Sequence, residues 1–319
     1  MHKVKDIPPA LREMPRFGMF PAAFGLFDRG STLKPFEYLA PDTVDEAVAI
    51  LTDNAPDARL LAGGTDYLVE LKHASEVPKV VVDVSGISEF KGIELTDKGL
   101  RFGSGVTHTE IMESDLVAEH ALAMQEAALT IGAVQTRNLG TLGGNLVTCV
   151  PSVDSGPVLI ALDAAVTITG SKGIRIMPLL DFFVGPRKTA LEPDELLVDI
   201  VIPKEMLGRG CSFRKFGLRK GQALALVNTC ASIDLDAGKL ADVRIALGAV
   251  APTVIRAVKA EKLLNGKAPS DDLFAEAGDM AATEAKPIND FRASAGYRLD
   301  LIRTGTKRVL AEALERAPR

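Results

Sequence analysis

Thiols are scarce in this sequence: Cys149, Cys211 and Cys230 are its only cysteines, and they lie far apart. Three thiols build neither a disulfide scaffold nor a four-cysteine zinc or iron–sulfur site. The remaining metal-binding candidates, His2, His73, His108 and His120, show no ligand spacing. Also missing are a G-x-x-x-x-G-K-S/T phosphate loop, an H-E-x-x-H zinc pair and a G-x-S-x-G nucleophile elbow. Gly103 and Gly105 open a G-x-G, but His108 stands where the third glycine belongs, so the Rossmann fingerprint fails. No apolar run approaches the ~18–20 residues that span a bilayer. The opening MHKVKDIPPALREMPRFGMF lacks the unbroken apolar core and cleavage site of a signal peptide, so the expected location is cytoplasmic. Lys plus Arg number 37 against 42 for Asp plus Glu, a formal charge of -5 without a basic face, which argues against nucleic acid as a partner.

What is present is ordinary globular material: 319 residues, 47% hydrophobic and 25% charged, enough for about two domains. Residues 1–33 read as an extension, either lying on a partner or another domain or forming a disordered tail. TVDEAVAILTDN (43–54) carries a Thr cap, early acids and an apolar stripe, the marks of a helix. ARLLAGG is a short strand ending in glycines, and TDYLVELKHA restarts as a helix that Thr65 is placed to cap. KVVVDVSG is a buried strand, and GIELTDKGLRFGSGV a hairpin around Asp97-Lys98-Gly99. One or two helices are expected over 109–130, then a glycine-rich stretch from Gly132 to Asn145, then helix and strand in VLIALDAAVTITG. After a boundary between Ile202-Pro203 and Ser212, CSFRKFGLRKG, LALVNTCASIDLD and ADVRIALGAVAP are spaced as meander strands. Helical periodicity follows to the end, giving an α+β C-terminal domain.

Two glycine loops have the form of anion sites. Ala62-Gly63-Gly64-Thr65-Asp66 lies between a strand and a helix, where residues without Cβ admit a phosphate to the backbone and helix-start amides face it. Thr141-Leu142-Gly143-Gly144-Asn145 repeats that logic and adds Thr and Asn side chains as donors. Together they can clamp the two phosphates of a dinucleotide, and Asp154 can accept hydrogen bonds from a ribose hydroxyl. Read singly, each is also a tight turn at a strand end.

LLAGGTDYLVELK followed by QTRNLGTLGGNLVTCVPSVDSGPVLIALDA closely resembles the flavoprotein subunit of the molybdenum hydroxylases, which include the carbon monoxide dehydrogenase medium chain and the xanthine dehydrogenase FAD domain. DFFVGPRKTALEPDELLVDIVIP and RIALGAVAPTVIRA match as well, so the resemblance runs from about residue 34 to 317. It implies an α+β fold. A two-subdomain FAD-binding domain of the vanillyl-alcohol oxidase/MurB-like type covers 34–205, with subdomains at about 34–90 and 91–205. A smaller α+β domain with a three-stranded antiparallel sheet and helices follows at 210–319.

By the same resemblance Leu61, Ala62, Gly63, Gly64, Thr65 and Asp66 form the first pyrophosphate loop, and Thr141, Gly144 and Asn145 the second. Thr148 and Asp154 reach ribityl or ribose hydroxyls, Ile131 packs on adenine, and Val198 meets the flavin through its backbone. Lys215 lies near the flavin's pyrimidine end, where a cation stabilises the charge of reduced flavin. Tyr67 is either a cover for the flavin or a packed helix residue. Thr107 is a structural element near the cofactor, His73 and His108 are structural, and Cys149 is a packing residue close to the second loop.

No residue is assigned a catalytic role and no metal site is expected. The implied function is electron transfer by FAD between 2Fe–2S clusters of a small partner subunit and a terminal acceptor such as NAD, a quinone or another carrier. A large molybdopterin-binding subunit handles the substrate, and the assembly implied is a dimer of heterotrimers. The cysteine-rich 4Fe–4S insert of the 4-hydroxybenzoyl-CoA reductase branch is missing. The alternatives are a self-sufficient FAD-dependent oxidoreductase and a non-catalytic assembly subunit.

Overall fold

The computed structural model describes residues 34–318, and the extension expected at 1–33 lies outside them. The first layer is β1 (Glu37–Leu39), α1 (Val44–Asn54), β2 (Ala58–Leu61), α2 (Tyr67–His73) and β3 (Val80–Asp83). Its strands form a parallel sheet in the order β1-β3-β2. Thr43 caps α1, its hydroxyl accepting from Glu46 N at 3.2 Å, while Asp45 and Glu46 favour the positive helix end. Ala47 and Leu51 then bury against Val80 and Val82 of the central strand. The cap expected from Thr65 does not form. Gly64 turns the chain at φ +68°, α2 starts at Tyr67, and its cap position falls to Asp66, whose side chain makes no cap bond.

A second unit opens with the expected hairpin, β4 (Ile93–Leu95) and β5 (Gly99–Gly103), closed by Thr96 and Gly99. Three helices rather than one or two follow: α3 (His108–Glu113), α4 (Asp115–His120) and α5 (Leu122–Leu129). Ser114 breaks the run because its hydroxyl caps α4 at Val117 N, and Ala121 leaves helical geometry at φ -151°. The glycine-rich stretch also folds into short helices, α6 (Val134–Leu139) and α7 (Leu142–Thr148), before the buried α8 (Ser155–Ala161). The chain continues through β6 (Ala165–Gly170), β7 (Gly173–Pro178), α9 (Leu179–Phe182), β8 (Phe183–Gly185), β9 (Lys188–Thr189) and β10 (Leu196–Pro203). An antiparallel sheet in the order β4-β5-β10-β6-β7 results.

The last unit is a meander of β11 (Gly210–Phe216), β12 (Val227–Asp236) and β13 (Lys239–Gly248). A two-residue strand, β14 (Ile255–Arg256), extends the three strands expected to four. Helices α10 (Val258–Leu264), α11 (Asp271–Glu284) and α12 (Ala295–Arg316) complete it. Alternation along the strands sends Val227, Ala231, Ile245 and Leu247 into one core with Phe274, Ile302 and Val309. The opposite face sends Phe213, Cys230 and Ala246 into the core that holds Leu159 and Ile200 of the preceding unit. No helix among the described residues is long and apolar enough to cross a membrane.

Glu126 of α5 fastens this junction. Its carboxylate accepts from Phe213 N at 3.0 Å and from Arg316 at 2.6 Å, and Arg316 also donates to the Cys211 carbonyl at 2.8 Å. Glu126→Ala leaves a strand amide and a guanidinium without their shared acceptor, and urea denaturation should show a loss of about 1–3 kcal/mol. An unchanged midpoint would contradict this role.

Candidate functional site

The two glycine loops meet. A Cβ on Gly63 would stand 1.8 Å from the Leu139 carbonyl oxygen, so the first loop lies directly on the residues that lead into the second. Thr65 Oγ1 faces the neighbouring Gly140. Among the described residues, the backbone N–H groups of Gly63, Gly64, Thr65 and Asp66 donate to nothing. Four free amides at one turn form a donor set for an anion.

The second loop is built differently. Thr141 caps α7, its hydroxyl accepting from Gly144 N at 3.0 Å, and Asn145 N donates to the Thr141 carbonyl at 2.9 Å. Its backbone amides from Leu142 to Asn145 are therefore taken. What it offers is the Asn145 Nδ2 group and a bare backbone at Gly144, where a Cβ would meet only Thr141 Oγ1, at 2.9 Å. Thr107 caps α3 in a reciprocal box with Glu110 and bridges to Thr141, so it supports this loop as expected of a structural element.

A polar seam runs on from there. Ser155 Oγ donates to Asn145 Oδ1 at 2.6 Å, and the adjacent Asp154 is paired with Lys215 at 2.6 Å. Asn228, which the sequence did not single out, donates to the other Asp154 oxygen at 3.1 Å. Burial pushes the Asp154 carboxyl above its ordinary value, while the Lys215 ammonium pulls the other way. Each carboxylate oxygen still has a lone pair for a hydroxyl. Lys215 also donates to the Thr130 carbonyl at 3.0 Å, which places it beside Ile131. A cavity of about 330 Å³ opens here, lined by Thr130, Lys215, Arg219 and Lys220.

The other expected positions are less direct. Thr148 donates its hydroxyl proton to the Gly144 carbonyl at 2.7 Å, so it is left as an acceptor. Val198 is the residue skipped in the β10–β6 register, and its carbonyl accepts from Ser104 N at 2.9 Å. Leu61 ends β2, and Ala62 packs against the first core. Tyr67 lines a separate cavity of about 310 Å³ with Arg59, Glu70 and Leu71, its hydroxyl buried without a partner among the described residues. Cys149 holds a left-handed backbone at φ 49° and donates its thiol to the Gly185 and Lys188 carbonyls, a packing role.

Known proteins share this sequence pattern and fold. Residues 34–205 match the family of the FAD binding domain in molybdopterin dehydrogenase, and residues 212–313 match the CO dehydrogenase flavoprotein C-terminal domain. A xanthine dehydrogenase FAD-binding subunit of Escherichia coli O157:H7 is 34% identical over 277 residues, covering 86% of this chain and 94% of its own. The carbon monoxide dehydrogenase medium chain of Hydrogenophaga pseudoflava is 33% identical over 282 residues, covering 88% and 98%. Among solved structures, carbon monoxide dehydrogenase from H. pseudoflava superposes with a TM-score of 0.86 at 32% identity, covering 90% of this chain and 100% of that one. Quinoline 2-oxidoreductase from Pseudomonas putida 86 gives 0.84 at 31% identity, covering 89% and 99%. The chain belongs to the FAD-binding medium subunits of the molybdenum hydroxylase family, the flavoproteins of molybdopterin-dependent oxidoreductases.

The residues present fit FAD. Unpaired amides and a side-chain-free surface at Gly144 suit a pyrophosphate, and the Asp154 carboxylate suits a polyhydroxyl chain. His108 beneath the loops is 2% exposed, with Nδ1 unpartnered among the described residues. Burial, aided by the Arg137 charge, lowers its pKa from 6.5 to about 4. A depressed histidine value means the neutral ring is favoured on folding, so its contribution is present above pH 6.5 and lost as pH falls toward 4. The loss is about 3 kcal/mol at most over that window. His108→Phe should flatten this part of the pH–stability curve; an unaltered curve would contradict the assignment.

Proposed function

We propose that this chain carries electrons through FAD between 2Fe–2S clusters of a small partner subunit and a terminal acceptor: NAD, a quinone or another carrier. A large molybdopterin-binding subunit transforms the organic substrate, and the assembly is a dimer of heterotrimers. The cofactor domain is residues 34–205, divided at about residue 90, and the C-terminal domain starts at 210. The observation that carries the reading is the contact of the two glycine loops at Gly63, continued by the seam to Asp154 and Lys215.

When bound, FAD supplies the exchange between one-electron and two-electron carriers. The residues bind and orient it. Amides of Gly63 to Asp66 hold the pyrophosphate, with Thr141, Gly144 and Asn145 opposite. Asp154 and Thr148 accept from hydroxyls, and the Val198 backbone, set out of the ladder by its bulge, borders the flavin. An extended dinucleotide has its ring systems at opposite ends, whereas Ile131 and Lys215 lie at one place. The flavin lies at that end, with Ile131 packing on it in place of adenine. Because Asp154 compensates Lys215, the pair acts on the flavin as a buried dipole rather than a bare cation.

Two measurements test this. The full chain should take up FAD and show a flavin visible spectrum, and Gly144→Val should abolish uptake while the fold persists. A chain that binds no FAD contradicts the reading, and turnover of an organic substrate by the isolated chain would favour a self-sufficient oxidoreductase. Lys215→Met should make the bound flavin's midpoint potential more negative by on the order of 30 mV, the two-electron equivalent of about 1.4 kcal/mol. An unchanged potential would place Lys215 away from the flavin.

A further inference from the structure

Three neighbouring strands bring Lys215, Asn228 and Gly248 into one row. Lys215 of β11 stands opposite Asn228 of β12, and Asn228 stands opposite Gly248 of β13. The cation and the amide each take one oxygen of Asp154: Lys215 Nζ takes Oδ2 at 2.6 Å, and Asn228 Nδ2 takes Oδ1 at 3.1 Å. Asn228 Nδ2 also reaches the Val153 carbonyl at 3.3 Å.

This amide is an expensive residue to keep. It is fully buried, and its Oδ1 has no partner among the described residues. An unsatisfied buried acceptor destabilises a fold. Position 248 must also lack a side chain, because a Cβ there would stand 2.0 Å from Asn228 Oδ1. A small apolar residue at 228 would avoid both costs, but it would leave Asp154 Oδ1 without its donor. Only the amide, with Lys215 beside it, holds both carboxylate oxygens and stops the carboxylate turning about its last bond.

We propose that Asn228 is a positioning residue for the flavin end of the site. By holding Asp154 Oδ1, it fixes the carboxylate that anchors Lys215, and so sets how both groups face the cofactor. The C-terminal sheet thereby completes a site whose phosphate loops lie in the preceding domain. This inference rests on the FAD reading above.

The test is a double-mutant cycle on the full-length chain: wild type, Asn228→Ser, Gly248→Ala and the two combined. FAD dissociation constants, the midpoint potential of the bound flavin and the melting temperature of the FAD-free chain are recorded for each. Asn228→Ser should weaken FAD about tenfold and shift the potential. Gly248→Ala should do the same by displacing the amide, giving a second route should the first variant fold poorly. In the Asn228→Ser background Gly248→Ala should add little, since the oxygen it would strike is gone. Unchanged affinity and potential, additive losses, or a fall in melting temperature alone would each overturn the positioning role. A wild-type chain that binds no FAD fails the underlying reading and takes this inference with it.

Discussion

A peptide oxygen occupies the place where residue 63 would carry a side chain. Everything about the site follows from that contact between Gly63 and the Leu139 carbonyl. It brings the turn after β2 onto the segment between α6 and α7, and so joins a parallel three-stranded layer to a five-stranded antiparallel one. With the turn held there, Gly64 at positive φ delays α2 until Tyr67, and four amides have no acceptor among the described residues.

The two loops offer different groups to an anion. One presents backbone donors; the other satisfies its own amides and presents a surface without side chains at Gly144 together with the Asn145 amide. From Asn145 the polar chain continues through Ser155 to Asp154 and across to the C-terminal sheet. The candidate site and the contact with the C-terminal sheet therefore coincide at Asp154. The C-terminal sheet reaches the candidate site through Lys215 and Asn228, while Glu126, Phe213 and Arg316 fasten it nearby.

Much of this was legible in the sequence because its signals are local. Glycine pairs between apolar runs marked both loops, Thr43 marked the start of α1, and the Asp97-Lys98-Gly99 turn marked the hairpin. Contacts between distant segments were not legible. Nothing in the chain near Asp154 announces that Lys215 will neutralise it, or that Asn228, one buried strand residue among many, will hold its other oxygen. Nor does the sequence show that Ile131 and Lys215, expected at the adenine and flavin ends of the cofactor, lie close together, with Lys215 donating to the Thr130 carbonyl. Thr65 does not cap because Gly64 turns the chain at positive φ and the helix starts at Tyr67.

Amide hydrogen exchange at Gly63, Gly64, Thr65 and Asp66, with and without FAD, tests the central claim most directly. These amides have no acceptor among the described residues, so they should exchange fast in the free chain. The account predicts strong slowing at these four positions on adding FAD. Exchange that stays fast while FAD is demonstrably bound would contradict it, because the pyrophosphate would then lie somewhere other than the loop that Gly63 sets in place.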